Sequence, residues 1–150
     1  MKKNQIELEI RVPNQTRYLS LIGRISEELI AQVEGYVGDR ETLANHLNVV
    51  LTESLVNAIR HANENNPEEI VQIRITISDN EILMQIFDHG RGFDLTQTAL
   101  DSKKGEDALD EHGRGLFIIR SLMDSVEYHP TKSGNVLEMR KRYQIGREHV

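Results

Sequence analysis

The sequence predicts an α+β fold: a two-layer sandwich with a mixed, mostly antiparallel sheet and about three helices on one face. Three observations predict it. Five short runs alternate apolar and polar residues with period two, the mark of strands with one wet face. Three other stretches repeat apolar residues every three or four positions, as helices with one buried face do. The two kinds of segment do not alternate as strand, helix, strand throughout, so the helices are expected to cover one side of the sheet.

From Ile6 to Val12, Ile6, Leu8, Ile10 and Val12 alternate with charged or polar residues, and Pro13 and Asn14 end the strand. Asn14 is then expected to cap a helix whose apolar positions are Leu19, Ile22, Ile25, Leu29 and Val33, broken by Gly35 and Gly38. A second helix, capped by Asp39, is expected to run to about Ala62 with a core stripe of Leu47, Leu51, Leu55, Ala58 and Ala62. Asn63 to Pro67 reads as a turn. Ile70 to Ile77 and Ile82 to Phe87 read as a β-hairpin across Asp79-Asn80. Apolar periodicity then stops until His112, and a stretch of that length suits a lid over a site, about 93–112. Leu116, Ile118, Ile119, Leu122 and Met123 mark a short third helix, and strands at Val126 to His129 and Val136 to Tyr143 flank a turn at Ser133-Gly134.

The size fits one domain spanning 1–150, since 150 residues with 38% hydrophobic content build one core. Eighteen basic against 24 acidic residues give a net charge of -6, a field that repels nucleic acid and anionic membranes. The run Arg140, Lys141 and Arg142 reads as a solvated strand end. With no cysteine, a disulfide scaffold, a thiolate nucleophile and cysteine-ligated metal are excluded. No stretch approaches the ~20 apolar residues of a membrane span, and no leader pattern opens the chain, so the expected location is cytoplasmic.

Glu53 and Asn57 stand at i and i+4 on the second helix, a carboxylate and an amide on one face. Oxygen donors of this kind suit a hard cation, and a carboxylate can take a proton from an attacking hydroxyl. Taken alone, the pair is more simply a solvated helix face and decides nothing. Asp88-His89-Gly90-Arg91-Gly92 ends a strand; its glycines let a flat ligand approach the backbone while the Asp88 carboxylate accepts a hydrogen bond from an amino group. Gly113-Arg114-Gly115 opens a helix, where backbone N–H groups suit phosphate. By themselves these two are a turn and a loop end. The P-loop and Rossmann glycine patterns are absent, and the six histidines lack metal-ligand spacing.

The order of these pieces is informative. A helix with Glu53 and Asn57, a strand ending in Asp88-x-Gly90-x-Gly92, a polar lid, then Gly113-x-Gly115-Leu116 at a helix start resembles the Bergerat (GHKL) ATP-binding fold of gyrase B, MutL and histidine-kinase catalytic domains. Within it, Glu53-Ser54-Leu55-Val56-Asn57-Ala58-Ile59-Arg60-His61, Gly113 to Ile119, Leu122-Met123-Asp124 and Ser133-Gly134 are most similar to the bacterial anti-sigma-factor serine/threonine kinases, from the first strand to about Tyr143. The resemblance implies ATP and Mg²⁺ as cofactors. It implies Glu53 as general base, Asn57 as a magnesium ligand, Asp88 as reader of the adenine amino group, and Gly90 and Gly92 as room for the ring. Gly113, Arg114, Gly115 and Leu116 would close on the phosphates; of the other cations near the lid, Arg91, Lys103 and Lys104, the lysines suit a solvated lid.

The implied partners are a STAS-domain anti-anti-sigma protein as phosphoacceptor, a sigma factor to be sequestered, and a second copy in a homodimer. A switch kinase of a STAS scaffold that binds no sigma factor shares every motif; the other readings are a nucleotide-regulated binding module without kinase activity and, last, a detached histidine-kinase catalytic domain, for which the 52 residues before Glu53 leave little room for a dimerisation helix. The chain departs from the wider pattern in the return strand, where Gly134 is followed by Asn135 instead of threonine.

Overall fold

The computed structural model describes residues 5–89 and 111–146. The expected lid, with Gly90, Arg91, Gly92, Lys103 and Lys104, lies outside the described residues up to Glu111.

Strand β1 (Ile6–Pro13) is followed by a single 3-10 turn (Thr16–Tyr18) and helix α1 (Leu19–Ala31). Helix α2 (Arg40–Val56) continues without a break into a π-helical turn, Asn57–Ala62. Then come the hairpin β2 (Ile70–Ile77) and β3 (Glu81–Asp88), helix α3 (Glu111–Leu122), and the hairpin β4 (Ser125–Thr131) and β5 (Gly134–Arg142). The five strands form one sheet in the order β1-β2-β3-β5-β4, and every pairing is antiparallel, the limiting case of the mostly antiparallel sheet expected. The Ser78 N–H bonds the Glu81 carbonyl at 2.9 Å and closes the expected two-residue turn at Asp79-Asn80.

Alternation along the strands decides which face is dry. Val71, Ile73, Ile75 and Ile77 of β2, Ile82, Met84 and Ile86 of β3, and Leu137 and Met139 of β5 are buried in one core. The α2 residues Leu43, Leu47, Val50, Leu51 and Leu55 meet them, with Ala58 and Ile59 one turn further on. Each fully buried aliphatic side chain of this kind stabilises by about 1.5–3 kcal/mol relative to exposure, so the α2 stripe against the sheet is the main anchor of the helix layer. Helix α1 packs Ile22 and Ile30 onto it, and α3 packs Leu116 and Ile119.

The opposite sheet face is wet and ion-paired. Arg74 bonds Glu9 at 2.7 Å and holds its carboxyl below the usual carboxylate range. Arg140 bridges Glu81 at 2.7 Å and Glu138 at 3.1 Å. On the helix side of the sheet, in phase with Leu137 and Met139, Lys141 donates to the Leu122 carbonyl at 2.8 Å. Two of the three cations in the C-terminal basic run are thus engaged by the fold itself, and none of the described helices is long and apolar enough to cross a membrane.

Helix α1 does not start as expected. Asn14 is buried and bonds the Asn66 carbonyl at 3.0 Å instead of capping a helix, and α1 begins at Leu19 after the 3-10 turn with no side-chain cap. The competing partner wins because the exposed carbonyls of the 63–66 turn lie beside the end of β1 and a buried amide requires partners.

Candidate functional site

Helix α2 and its π turn deliver two of the expected residues. Asn57 begins the widened segment, and its N–H bonds the Glu53 and Ser54 carbonyls, so Glu53 and Asn57 are one turn apart. Asn57 is 2% exposed, which excludes the reading of this helix face as merely solvated, whereas Glu53 is half-buried. Their side chains meet the start of α3. A Cβ built on Gly115 would lie 2.9 Å from Glu53 Oε2 and 3.6 Å from both amide atoms of Asn57. Glycine at 115 is what permits this approach of helix backbone to a carboxylate and an amide.

The remaining end of the site is built by β3 and β5. Asp88 is the last residue of β3 and is 3% exposed. Its Oδ1 accepts the Asn135 amide at 3.0 Å, and its Oδ2 accepts the Tyr128 hydroxyl at 3.3 Å. Asp88 and Asn135 are direct cross-strand partners. Gly134, at φ +138°, makes that pairing possible: a Cβ there would collide with the Asp88 carbonyl oxygen. A narrow cleft, too tight in this structure to admit a water molecule, joins the two ends and is lined by Ser54, Asn57, Ala58, Ile86, Asp88, Tyr128 and Leu137. One wall is apolar, as a flat heterocycle needs, and Asp88 and Asn57 supply the polar atoms.

Of the expected site residues, Glu53, Asn57 and Gly115 therefore converge, and Asp88 shares the cleft with Asn57. Helix α3 starts at Glu111, two residues before Gly113, so Gly113-Arg114-Gly115 belongs to its first turns, with Arg114 exposed. Leu116 is fully buried in the core. Gly90 and Gly92 lie outside the described residues.

Three contributors escaped the sequence reading. Tyr128 carried no signal at all, because its role depends on β4 lying two strands from β3. Asn135 was visible only as a departure from threonine, without a partner. Asn63 looked like turn composition, yet its side chain accepts the His89 N–H at 3.1 Å, next to Asp88.

A second group on the wet sheet face, Glu127, His129 and Glu138, brings one ligand atom each within 4.8 Å. Arg140 at 3.1 Å and Gln85 at 2.9 Å already engage both Glu138 oxygens, so ion pairing accounts for the group.

Comparison with known proteins agrees with this geometry. Residues 12–141 match the family described as "Histidine kinase-like ATPase domain". Serine-protein kinase RsbW of Staphylococcus aureus (strain MSSA476) is 32% identical over 147 residues, covering 94% of this chain and 89% of the relative. The same protein from strain JH9 matches with the same identity and coverage. Among solved structures, the mycobacterial sensor histidine kinase MprB superposes with a TM-score of 0.54 at 15% identity, covering 93% of this chain and all of that one, a likeness of fold. The chain belongs to the histidine kinase-like ATPase domain family and, within it, to the serine-protein kinases.

Proposed function

We propose that this kinase transfers the γ-phosphoryl group of ATP to a seryl hydroxyl of a STAS-type anti-anti-sigma protein and, in its other state, sequesters a sigma factor. The observation that carries the reading is the meeting of Glu53, Asn57 and Gly115 at one end of a cleft whose other end is Asp88. Asp88 accepts the adenine amino group, a geometry that favours a 6-amino purine over a 6-oxo one because a carboxylate only accepts. The apolar wall of Ala58, Ile86 and Leu137 faces the ring.

At the phosphate end, the first turns of α3 present backbone N–H groups to the phosphates, and exposed Arg114 adds positive charge. Asn57 and Glu53 offer hard oxygen donors, a set that fits Mg²⁺, with Asn57 as the holding residue. Bound magnesium neutralises charge on the phosphates. Glu53 takes the proton of the seryl hydroxyl as its oxygen attacks the γ-phosphorus; the bond to the β-phosphate oxygen breaks and ADP leaves. Gly115 keeps the helix backbone close enough for these groups to act on one phosphoryl group, and positioning is the larger part of such catalysis.

The test is incubation with radiolabelled ATP, Mg²⁺ and candidate STAS proteins, followed by mapping of the label. Label on a partner serine or threonine, lost with Glu53→Ala while ADP still binds, is expected. ATP binding without transfer to any STAS protein would replace the kinase by a nucleotide-regulated binding module. Transfer without binding of any sigma factor would make it a switch kinase.

A further inference from the structure

The π turn ends in a buried pair of asparagines that no step of the proposed reaction uses. The Asn63 N–H bonds the Ala58 carbonyl at 2.8 Å, five residues back. In α register it would bond Ile59; here the Ile59 carbonyl instead takes the Asn65 N–H at 2.8 Å and the Asn14 amide at 3.4 Å. The extra residue in the turn swings the Asn63 side chain under the sheet end. It is 3% exposed, its Oδ1 accepts the His89 N–H at 3.1 Å, and its Nδ2 donates to Asn14 Oδ1 at 3.1 Å. Asn14, 2% exposed, donates in turn to the Asn66 carbonyl at 3.0 Å.

Backbone groups fix both amide orientations. The His89 N–H can only donate, so the atom of Asn63 facing it is the oxygen; the Ile59 and Asn66 carbonyls can only accept, so Asn14 turns its nitrogen to them. Asn14 Oδ1 and Asn63 Nδ2 are then left facing each other as a matched pair. A buried amide is costly unless it is bonded in this way, and bonded it specifies one arrangement of the elements it joins.

Those elements are the two ends of the cleft. Asn63 closes the turn that begins at Asn57, and His89 follows Asp88. We infer that Asn63 is a positioning residue for nucleotide: it staples the end of β3 to the end of the π turn and so sets the distance between the base-reading carboxylate and the magnesium-side amide. It touches neither ligand half. The inference rests on the reading of the cleft as an adenine-nucleotide site. A ligand that reaches both ends, Mg·ADP, depends on the separation; adenosine, which engages the base end alone, does not.

The experiment compares wild type, Asn63→Leu and Asn63→Asp in the full chain. Leucine has similar bulk with neither acceptor nor donor, and aspartate keeps an acceptor for His89 and, in the protonated form that burial favours, a donor for Asn14 Oδ1. Calorimetry is expected to show Mg·ADP binding weakened about tenfold in Asn63→Leu, within the range for its two lost hydrogen bonds, with adenosine binding within about twofold of wild type. Asn63→Asp is expected to keep the wild-type ratio of the two affinities within about threefold. Equal weakening of both ligands in folded Asn63→Leu, no change in either, or loss of the ratio in Asn63→Asp overturns the inference. Exchange of the His89 amide proton needs no nucleotide: slow exchange in wild type supports the staple, and exchange at the rate of a free amide overturns it even where Asn63→Leu does not fold. A wild-type protein that shows a protected His89 amide but binds no Mg·ADP would sink the nucleotide reading and leave the staple standing.

Discussion

The two ends of the long second helix are built by different rules. At its start, Asp39 accepts the Glu41 N–H at 3.0 Å and the Thr42 N–H at 3.4 Å and bonds the Thr42 hydroxyl at 2.9 Å, all within one turn. At its far end, the helix widens into π geometry, buries Asn57 and Asn63, and makes its side-chain bonds to Asn14 and His89, in other parts of the chain. The first end is a stability device that could sit on any helix. The second is expensive in local terms, since wide turns and buried amides need tertiary support, and such turns concentrate at functional sites. The difference teaches that this helix is anchored at one end and aimed at the other.

The sharpest way to break the comparison is at Glu53, the residue of the far end with no side-chain hydrogen bond among the described residues. Glu53→Gln is expected to lower kcat for phosphoryl transfer by about 10²–10⁴-fold, with Tm and ADP affinity nearly unchanged, as measured by single-turnover transfer and calorimetry. A large loss of Tm instead would move Glu53 from chemistry to structure.

Next in size is the base end. Asp88→Ala removes the carboxylate and leaves the Asn135 and Tyr128 donors facing its former place, so ADP affinity is expected to fall by about 10–150-fold, the range for a lost hydrogen bond to a charged group. Asn135→Ala leaves the carboxylate but removes the Asn135 donor, and about 2–10-fold is expected from one neutral bond's worth of orientation. Calorimetry with ADP orders the two. An Asn135→Ala loss equal to that of Asp88→Ala would mean that the carboxylate reads nothing without its clamp.

How much was legible follows the same division. The Asp39 cap and the Leu47, Leu51, Leu55, Ala58 stripe were readable because a cap obeys a rule three residues long and a stripe a rule of 100° per residue. The hairpins were readable from alternation and turn residues, and the order of the motifs carried the family. Asn14 misled for the opposite reason. A cap at the end of β1 was the local choice, and a carbonyl 52 residues away took the side chain instead. Tyr128, Asn135 and Asn63 act through partners 26 to 49 residues distant, which no pattern along the chain encodes.

The smallest expected effect belongs to the anchoring end and serves as the control for the rest. Hydrogen bonds from the Thr42 hydroxyl and the Thr42 and Glu41 N–H groups hold the Asp39 carboxyl below its usual value. A carboxyl whose pKa is lower folded than unfolded stabilises the fold at pH values above its unfolded pKa, and that contribution fades as the pH falls through the folded value. Asparagine caps nearly as well as aspartate but does not titrate. Asp39→Asn is therefore expected to cost a little Tm at pH 7, through the lost charge at the helix start, and progressively less than wild type loses below about pH 4. The gap between the two melting curves narrows on the acid side, measured by circular dichroism across a pH series. Nucleotide affinity at pH 7 should stay within about twofold of wild type, because Asp39 shares no partner with the cleft at the other end of the helix. Should Asp39→Asn weaken ADP binding as much as Asn135→Ala does, the helix would have to be treated as one coupled lever, and the separation of its two ends would fail.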